Sequence, residues 1–405
     1  ALQLADGALG DLNLPKVKDS NERNIIIDED EDKDKDEYNQ PKTPRERGPT
    51  HFTGTESHTY FWFPLLAGLS ELAFDYRDDI RISSLEVLFD TLKFHGSSFD
   101  PGFWARVYDA ILFPMFDVVR ATEFDSSEAS ENEKNEWLYG ACDRCLTLVV
   151  DLATNEIFFQ NICKANVWPK LCDLLENISG TFSHEKLASC GAQAFRRLLV
   201  GLGKNTTTTK SAASISSKSI NNENEWSIAI EKLCNIFDLG HPSLLLVDAS
   251  GECLQKYRKI MPKKCKNMLF DRIQRVHESN NKNDNNNKVL SVNAGSILIA
   301  FCDQEHDKDD VQRLQRAIVF ALTEYESCAL IVGSERARKD VLIRVPLCVH
   351  SLKQLCNIKG AFEKDMFMDL LSSLVGTSEQ PNEVLSALGE VFGKVVAPII
   401  ISQIE

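Results

Sequence analysis

The chain has 405 residues, of which 43% are hydrophobic and 26% charged, a composition typical of globular proteins that bury a large core. Its formal net charge of −15 argues against a nucleic-acid-binding protein, because phosphate contacts require an excess of Lys and Arg. No apolar run approaches the roughly 18–20 residues of a membrane-spanning helix, so only peripheral membrane contact is expected.

The twelve cysteines lie in apolar stretches, which favours buried free thiols in a reducing compartment over a secreted disulfide framework. Cys142 and Cys145 have the CxxC spacing of a redox pair or of half a zinc site. No second CxxC follows, and Leu138–Leu148 is apolar at helical spacing. We therefore predict that both thiols are buried in a helix that packs against its neighbour. The competing hypothesis is an enzyme that uses this pair of cysteines.

Residues 1–57 are predicted to form an acidic disordered linker. Asp28–Glu37 is a charge run with the sequence DEDEDKDKDE, and Pro41, Pro44 and Pro49 oppose a long helix. The sequence does not begin with Met and has no signal-peptide pattern, which suggests a fragment of a longer protein.

Residues 58–203 predict consecutive amphipathic helices joined by short polar turns. The first helix carries a broad apolar face between Tyr60 and Leu72. Gly96 is expected to cap the second helix, Asp100–Pro101 to begin the third and Pro114 to end or kink it.

Two polar segments interrupt this pattern. Residues 204–225, rich in Ser, Thr and Asn, and the Asn-rich residues 277–288 are predicted to be linkers, because they lack bulky apolar side chains. Helical repeats are expected at 226–276 and at 289–405. The predicted fold is all-α, a HEAT- or armadillo-like helical-repeat superhelix in which each helix pair buries its apolar face against its neighbours.

The sequence offers little for catalysis. Its eight histidines form no HxxxH or HExxH spacing, and no GxGxxG, GxxxxGK[ST] or GxSxG motif is present. The carboxylates of Asp78 and Asp79 are expected to be solvated or paired with Arg77 and Arg81. We therefore predict no catalytic residue, no metal site and no cofactor, and a protein that binds and positions other proteins.

One basic cluster departs from the acidic balance of the chain. It comprises Lys256, Arg258, Lys259, Lys263, Lys264 and Lys266, interleaved with Tyr257 and Met261. One hypothesis is contact with anionic lipid head groups or with an acidic partner surface. The alternative is a set of cations that complement the dipole at a helix C-terminus and keep the surface soluble.

The stretch HTYFWFPLLAGLSEL at His58–Leu72 makes the chain resemble a known family. Three further segments extend the likeness: IRISSLEVLFDTLKFHG at Ile80–Gly96, FWARVYDAILFPMFD at Phe103–Asp117 and WLY at Trp137–Tyr139. Together they resemble the C-terminal helical-repeat region of the large brefeldin A-inhibited guanine-nucleotide exchange factors for Arf GTPases. The match is specific over the first three segments and fades afterwards.

The shared motif is expected to be structural. Phe61–Leu66 are predicted to pack at a junction of helix pairs, and His95–Gly96 to shape a tight turn. Phe89, Phe113 and Phe116 are predicted to fill the seam between successive pairs. The motif residues are Phe61, Trp62, Phe63, Pro64, Leu65, Phe89, Asp90, His95, Gly96, Trp104, Phe113, Pro114, Phe116 and Asp117.

In this family the exchange reaction belongs to a separate upstream domain, whose glutamate finger lies in a FRLPGE-type motif. The chain contains no such motif, so no catalytic residue carries over. The resemblance implies a non-catalytic regulatory scaffold that controls Arf activation and membrane recruitment in Golgi and endosomal vesicle trafficking. It also implies a cytoplasmic protein, peripheral at trans-Golgi and endosomal membranes, whose partners are an Arf-family GTPase and other domains of the exchange factor.

Two features depart from the family pattern: the turn DYRDD at Asp75–Asp79 lacks an expected proline, and the polar inserts are unusually long. The competing function is a stand-alone HEAT-type trafficking adaptor that shares these repeats without an exchange domain. A carrier-type solenoid of the nuclear-import kind is compatible with the acidity of the chain, but no motif supports it.

Overall fold

In the computed structural model, the chain divides into two compact units, Ala1–Asp125 and Ser126–Glu405. The described residues are 58–75, 77–117, 131–180, 185–212, 222–239, 243–279, 285–300, 308–331, 335–356, 364–377, 380–398 and 401. These ranges are mostly helical and contain no strand, so the all-α prediction is confirmed. The predicted linker 1–57 lies outside the described residues.

The described part of the first unit contains three numbered α-helices, the turns that join them and a further helical stretch at 114–117. In chain order these are a π-helical turn at His58–Trp62, α1 (Phe63–Leu72), α2 (Asp78–His95), a 3-10 turn at Gly96–Ser98, α3 (Pro101–Val107) and a π-helical segment at Tyr108–Leu112. One face of α1 packs against α2 and against this π-helical segment.

Local side-chain chemistry sets the boundaries of these helices. Asp100 caps α3, because its Oδ1 accepts a hydrogen bond at 2.6 Å from the backbone N–H three residues further on, and Pro101 takes the first helical position. Gly96 is the C-cap of α2, with a right-handed φ of −61°. The π-helical segment ends at Leu112, Phe113 forms a turn, and the chain is helical again at 114–117, so the helix is interrupted just before Pro114, which lacks a backbone N–H. The predicted start of α3, the end of α2 at Gly96 and the predicted end or kink at Pro114 are thus confirmed.

The second unit contains twelve α-helices in its described part. They are α4 (Glu131–Ala153), α5 (Phe159–Lys164), α6 (Val167–Ser179), α7 (Glu185–Ala212), α8 (Glu223–Asp238), α9 (Leu244–Tyr257), α10 (Lys263–Glu278), α11 (Asn285–Ala300), α12 (Lys308–Ala329), α13 (Glu335–Leu355), α14 (Lys364–Gly376) and α15 (Asn382–Val391), which continues as a π-helical segment at Phe392–Val396.

The helices of the second unit form two rows. One row consists of α4, α7, α9, α11, α13 and α15, and the other of α6, α8, α10, α12 and α14; within each row every helix packs against the next. Helices also pair between the rows, as α6 with α7, α10 with α11 and α12 with α13. Since each helix buries its apolar face mainly against these neighbours, the unit is a helical repeat, as predicted.

The linker predicted at 204–225 is wrong at both ends, because α7 continues to Ala212 and α8 begins at Glu223; the middle of the segment lies outside the described residues. Buried hydrogen bonds replace the missing apolar contacts. The Thr206 hydroxyl accepts hydrogen bonds from Nε1 of Trp226 at 3.2 Å and from the Asn222 amide at 3.4 Å. These bonds tie the start of α8 to α7.

The linker predicted at 277–288 is also wrong at both ends, since α10 includes His277 and α11 includes Lys288. Lys288 is only 5% exposed, and its Nζ lies 2.7 Å from both carboxylate oxygens of Asp340 on α13. A buried lysine requires such a partner, because an unpaired charge in the core is very costly. The ion pair therefore fixes α11 against α13.

His277 joins three helices of the second unit. Its ring is 1% exposed, with Nδ1 at 2.9 Å from the Ser291 carbonyl oxygen on α11 and Nε2 at 3.1 Å from that of Ala317 on α12. Gly295 leaves room for the ring, since a Cβ there would lie 2.6 Å from its Cε1. A neutral imidazole donates only one hydrogen bond, so one of the two carbonyls faces an unprotonated nitrogen.

The stability of the second unit is expected to fall on mild acidification because of His277. Burial lowers the pKa of its imidazole, outweighing the two carbonyl contacts and the nearby Glu278 and Glu324, which raise it. Below the unfolded value of about 6.5, the unfolded chain therefore binds a proton that the folded chain does not, which costs at most about 1.4 kcal/mol per pH unit. Urea unfolding at about pH 7.5, 6.5 and 5.5 measures this loss.

The control for this prediction is His277→Gln, which keeps a polar group but does not titrate. The loss of unfolding free energy between about pH 7.5 and 5.5 should be smaller in this variant than in the wild type. An equal loss in both proteins would show that other groups cause the pH dependence.

Candidate functional site

The motif residues of the first unit gather around a buried aromatic cluster. Trp104, Phe89 and Phe116 are fully buried. Phe99 is also buried, and its ring centroid is 5.6 Å from that of Trp104 and 6.1 Å from that of Trp62. The cluster therefore links the start of α1 to the end of α2 and to α3.

Phe99 was missing from the sequence-based motif, although the sequence holds a signal for it. The residue directly precedes the N-cap Asp100, and Trp104 is the fourth residue of the helix that follows. An apolar residue at this place commonly packs on the fourth helical residue as a hydrophobic staple. Phe99 and Trp104 form this contact, which sets the entry of the chain into α3.

The turn after α2 is held by a ring stack. The ring centroids of Trp62 and His95 lie 4.3 Å apart, and the planes are tilted by 38°. The buried Gly96 follows, and the Ser98 hydroxyl donates a hydrogen bond to the His95 carbonyl at 2.7 Å. His95 and Gly96 thus occupy the short turn between α2 and α3.

The packing predicted for Phe61 and Leu65 does not occur. Their side chains, one in the π-helical turn before α1 and one in α1, are 68% and 47% exposed. Helical spacing identifies the apolar face of α1 but does not determine whether a neighbour covers it. Of the other motif residues, Phe63, Phe113 and Pro114 are half-buried, whereas Pro64, Asp90 and Asp117 are exposed.

The basic cluster lies at the turn between α9 and α10, where the structure divides it. Lys256 forms an ion pair with Glu252 at 2.7 Å. Lys266 forms one with Asp310 on α12 at 2.8 Å, and these two side chains are only 14% and 6% exposed. Of the remaining members, Arg258 is half-buried, whereas Lys259, Lys263 and Lys264 are exposed. An anionic ligand would therefore meet mainly the three exposed lysines.

The two thiols of the CxxC sequence are poor nucleophiles. Cys142 and Cys145 are both buried, and burial raises the pKa of Cys145 to about 12 and also raises the pKa of Cys142. A thiol must lose its proton to attack a substrate or bind a metal ion. Within the described ranges, no group of three or more His, Cys, Asp or Glu side chains could hold a metal ion, and no helix could span a membrane.

Comparison with known proteins places the similarity in the first part of the chain. Residues 20–144 match a family model described as the C-terminal region of Mon2 protein. The chain is 40% identical over 160 residues to brefeldin A-inhibited guanine nucleotide-exchange protein 3 of Arabidopsis thaliana, which covers 38% of this chain and 9% of that protein. It is 38% identical over 86 residues to the Protein MON2 homolog of Drosophila melanogaster, which covers 20% of this chain and 5% of that protein.

A more distant relative is the ADP-ribosylation factor guanine nucleotide-exchange factor SEC7 of Saccharomyces cerevisiae. It is 26% identical over 128 residues, which is 31% of this chain and 6% of that protein. The resemblance to the C-terminal region of the brefeldin A-inhibited exchange factors is confirmed by these matches. The aligned part of the chain spans less than a tenth of the length of these relatives.

The division of the basic cluster predicts two different outcomes for neighbouring lysines. Lys266→Ala leaves Asp310 buried without its cation and should cost about 3–5 kcal/mol in the free energy of unfolding. Lys264→Ala removes an exposed charge and should change it by less than about 0.5 kcal/mol. Urea titration of both variants measures the difference.

A double variant separates the loss of the ion pair from a general packing defect. Lys266→Met combined with Asp310→Leu removes both charges and should recover most of the stability lost in Lys266→Ala. If the double variant is as unstable as the single one, the cost does not arise from an unpaired carboxylate.

Proposed function

We propose that this chain is the non-catalytic regulatory C-terminal part of a large Arf guanine-nucleotide exchange factor. The single observation that carries the proposal is the similarity of the chain to relatives named as exchange proteins, and it agrees with the match of residues 20–144 to a family model described as the C-terminal region of Mon2 protein. In this function the chain controls Arf activation and membrane recruitment in Golgi and endosomal vesicle trafficking. Its partners are an Arf-family GTPase and other domains of the exchange factor, at the cytoplasmic face of trans-Golgi and endosomal membranes.

The architecture supports binding in preference to chemistry. The rows of α-helices in the second unit are fixed by buried apolar faces and by buried ion pairs such as Lys288 with Asp340 and Lys266 with Asp310. Such a stack presents long, rigid surfaces, as helical-repeat proteins that bind partners do. The buried thiols of Cys142 and Cys145 stay protonated at neutral pH, which removes the strongest candidate for a nucleophile.

A regulatory role is expected to change nucleotide exchange without catalysing it. The purified chain should retain an Arf-family GTPase preferentially in one nucleotide state in pull-downs with GDP-loaded and GTP-loaded protein. Deleting this segment from the complete gene product should change the rate of GDP release on liposomes by about five-fold or more, a size typical of coupling between sites. Absence of binding in both states, together with an unchanged rate, would contradict the proposal.

A second candidate is a stand-alone helical-repeat trafficking adaptor that is related to these factors but lacks an exchange domain. The observation in its favour is that the family model and the Drosophila relative both carry Mon2 names and not exchange-protein names. The same GDP-release assay distinguishes the two, since the complete gene product of an adaptor would not accelerate release from any Arf-family GTPase.

We further propose that Lys259, Lys263 and Lys264 contact anionic lipid head groups. Lys256 follows the usual placement of a cation at a helix C-terminus, and it is already paired. Lys263 and Lys264 begin α10, whose first turn holds no acidic residue, and cations there face the positive end of the helix dipole. Dipole complementarity therefore does not account for them, whereas an anionic ligand gains from both the lysines and the helix end.

Reversing these three charges should weaken binding to anionic vesicles. Each lysine near an anionic leaflet contributes about 1 kcal/mol, so Lys259→Glu, Lys263→Glu and Lys264→Glu together should weaken binding on the order of 100-fold. Co-sedimentation of the full chain with vesicles containing phosphatidylserine measures this effect.

The matched control for the vesicle experiment changes the net charge by the same amount at other positions of the chain. Lys170→Glu, Lys186→Glu and Lys353→Glu replace three exposed lysines on α6, α7 and α13. An equal loss of binding in this control would show that the total charge, and not the turn between α9 and α10, determines membrane contact.

A further inference from the structure

An apolar stripe runs along the uncovered face of α1. Leu65, Gly68 and Leu72 follow each other at helical spacing, and Phe61 lies one turn before them. Phe61, Leu65 and Leu72 are 68%, 47% and 45% exposed. At Gly68, a Cβ would have no atom within 4 Å, so the stripe contains an open notch between two leucines.

The stripe continues into exposed aromatic rings at the end of α2. Phe94 is 82% exposed, and its ring lies 4.9 Å from that of His95. His95 stacks on Trp62 at 4.3 Å, and the rings of Trp62 and Phe61 are 5.6 Å apart. These four rings are connected, with Phe61 and Phe94 exposed and Trp62 and His95 half-buried between them. Contiguous exposed apolar surface of this kind marks sites of protein interaction.

The shape and charge of this surface indicate the partner. A straight apolar stripe of about three helical turns, interrupted by a glycine, fits a second helix, whose side chain can enter the notch. The flanks are predominantly acidic: Glu86 and Asp90 are exposed on α2, two turns and one turn before Phe94, and Glu71 is exposed on α1, against one exposed cation, Lys93. The described residues of this unit hold nine Asp and Glu against four Lys and Arg.

We propose that the surface formed by Phe61, Leu65, Gly68, Leu72 and Phe94, the α1 surface, binds an amphipathic helix of a partner protein. The helix presents large apolar side chains to the stripe and Lys or Arg to the acidic flanks, where opposite charges complement each other. This proposal rests on the regulatory function proposed above, because a regulatory scaffold acts through the surfaces on which its partners bind.

The test uses a designed peptide as the probe. A fluorescent Leu/Lys peptide of about 18 residues, roughly five helical turns, is titrated with the full chain and followed by anisotropy. Two controls are a peptide of the same composition in scrambled order and a Leu/Glu peptide with helical spacing. The amphipathic Leu/Lys peptide should bind at least about ten-fold more tightly than either control. Equal affinity for the scrambled peptide would overturn the proposal, because charge alone would then explain binding.

A variant at the notch locates the binding site without disturbing the fold. Gly68→Gln places a side chain in the open space above α1, whereas Gly68→Ala adds only a methyl group; both residues favour a helix more than glycine does. The glutamine variant should bind the Leu/Lys peptide at least about ten-fold more weakly than the wild type, and the alanine variant should bind it within about two-fold. Equal binding by both variants would overturn the proposal.

Two further outcomes distinguish helix binding at the α1 surface from membrane binding there and from the regulatory function. Binding of neutral phosphatidylcholine vesicles by the wild type, lost in Gly68→Gln, would assign the α1 surface to a membrane and overturn the proposal. In the second outcome, peptide binding depends on Gly68, while deletion of this segment from the complete gene product leaves the rate of GDP release unchanged. That result would support the α1 surface and contradict only the regulatory function.

Discussion

The fold of the second unit depends on the mutual burial of apolar helix faces. A single amphipathic helix pair cannot remove its apolar side chains from water, so each pair is stable only between its neighbours. The buried Trp168 on α6 and Trp226 on α8 show this dependence, since each such side chain contributes roughly 2–3 kcal/mol only when another helix covers it. The rows of helices, and hence the surfaces that they expose, follow from this one constraint.

Apolar burial alone does not specify which helix lies beside which, and the buried polar groups supply that information. Trp226, Lys288 and His277 each need partners on other helices, because an unsatisfied polar group in the core is costly. A shifted register would remove these partners. The polar groups therefore favour one arrangement of the helices over its shifted alternatives.

The two units expose different chemistry. The first unit presents an apolar and aromatic surface with acidic flanks, around Phe61 and Phe94. The second unit presents exposed lysines at the turn between α9 and α10. An apolar surface with acidic edges suits a polypeptide with basic flanks, whereas lysines at a helix N-terminus suit an anion. Under the function proposed above, a partner helix and an anionic membrane would each bind the surface of complementary charge.

The sequence by itself determined the local structure: the helices, the cap at Asp100, the stop before Pro114 and, through the staple pattern, the place of Phe99. These features depend on residues within about one helical turn of each other. Only the tertiary structure decided that Lys266 and Lys288 are buried in ion pairs, because their partners lie 44 and 52 residues away. It alone also decided that Phe61 and Leu65 stay exposed, since spacing reveals an apolar face but cannot show whether another helix covers it.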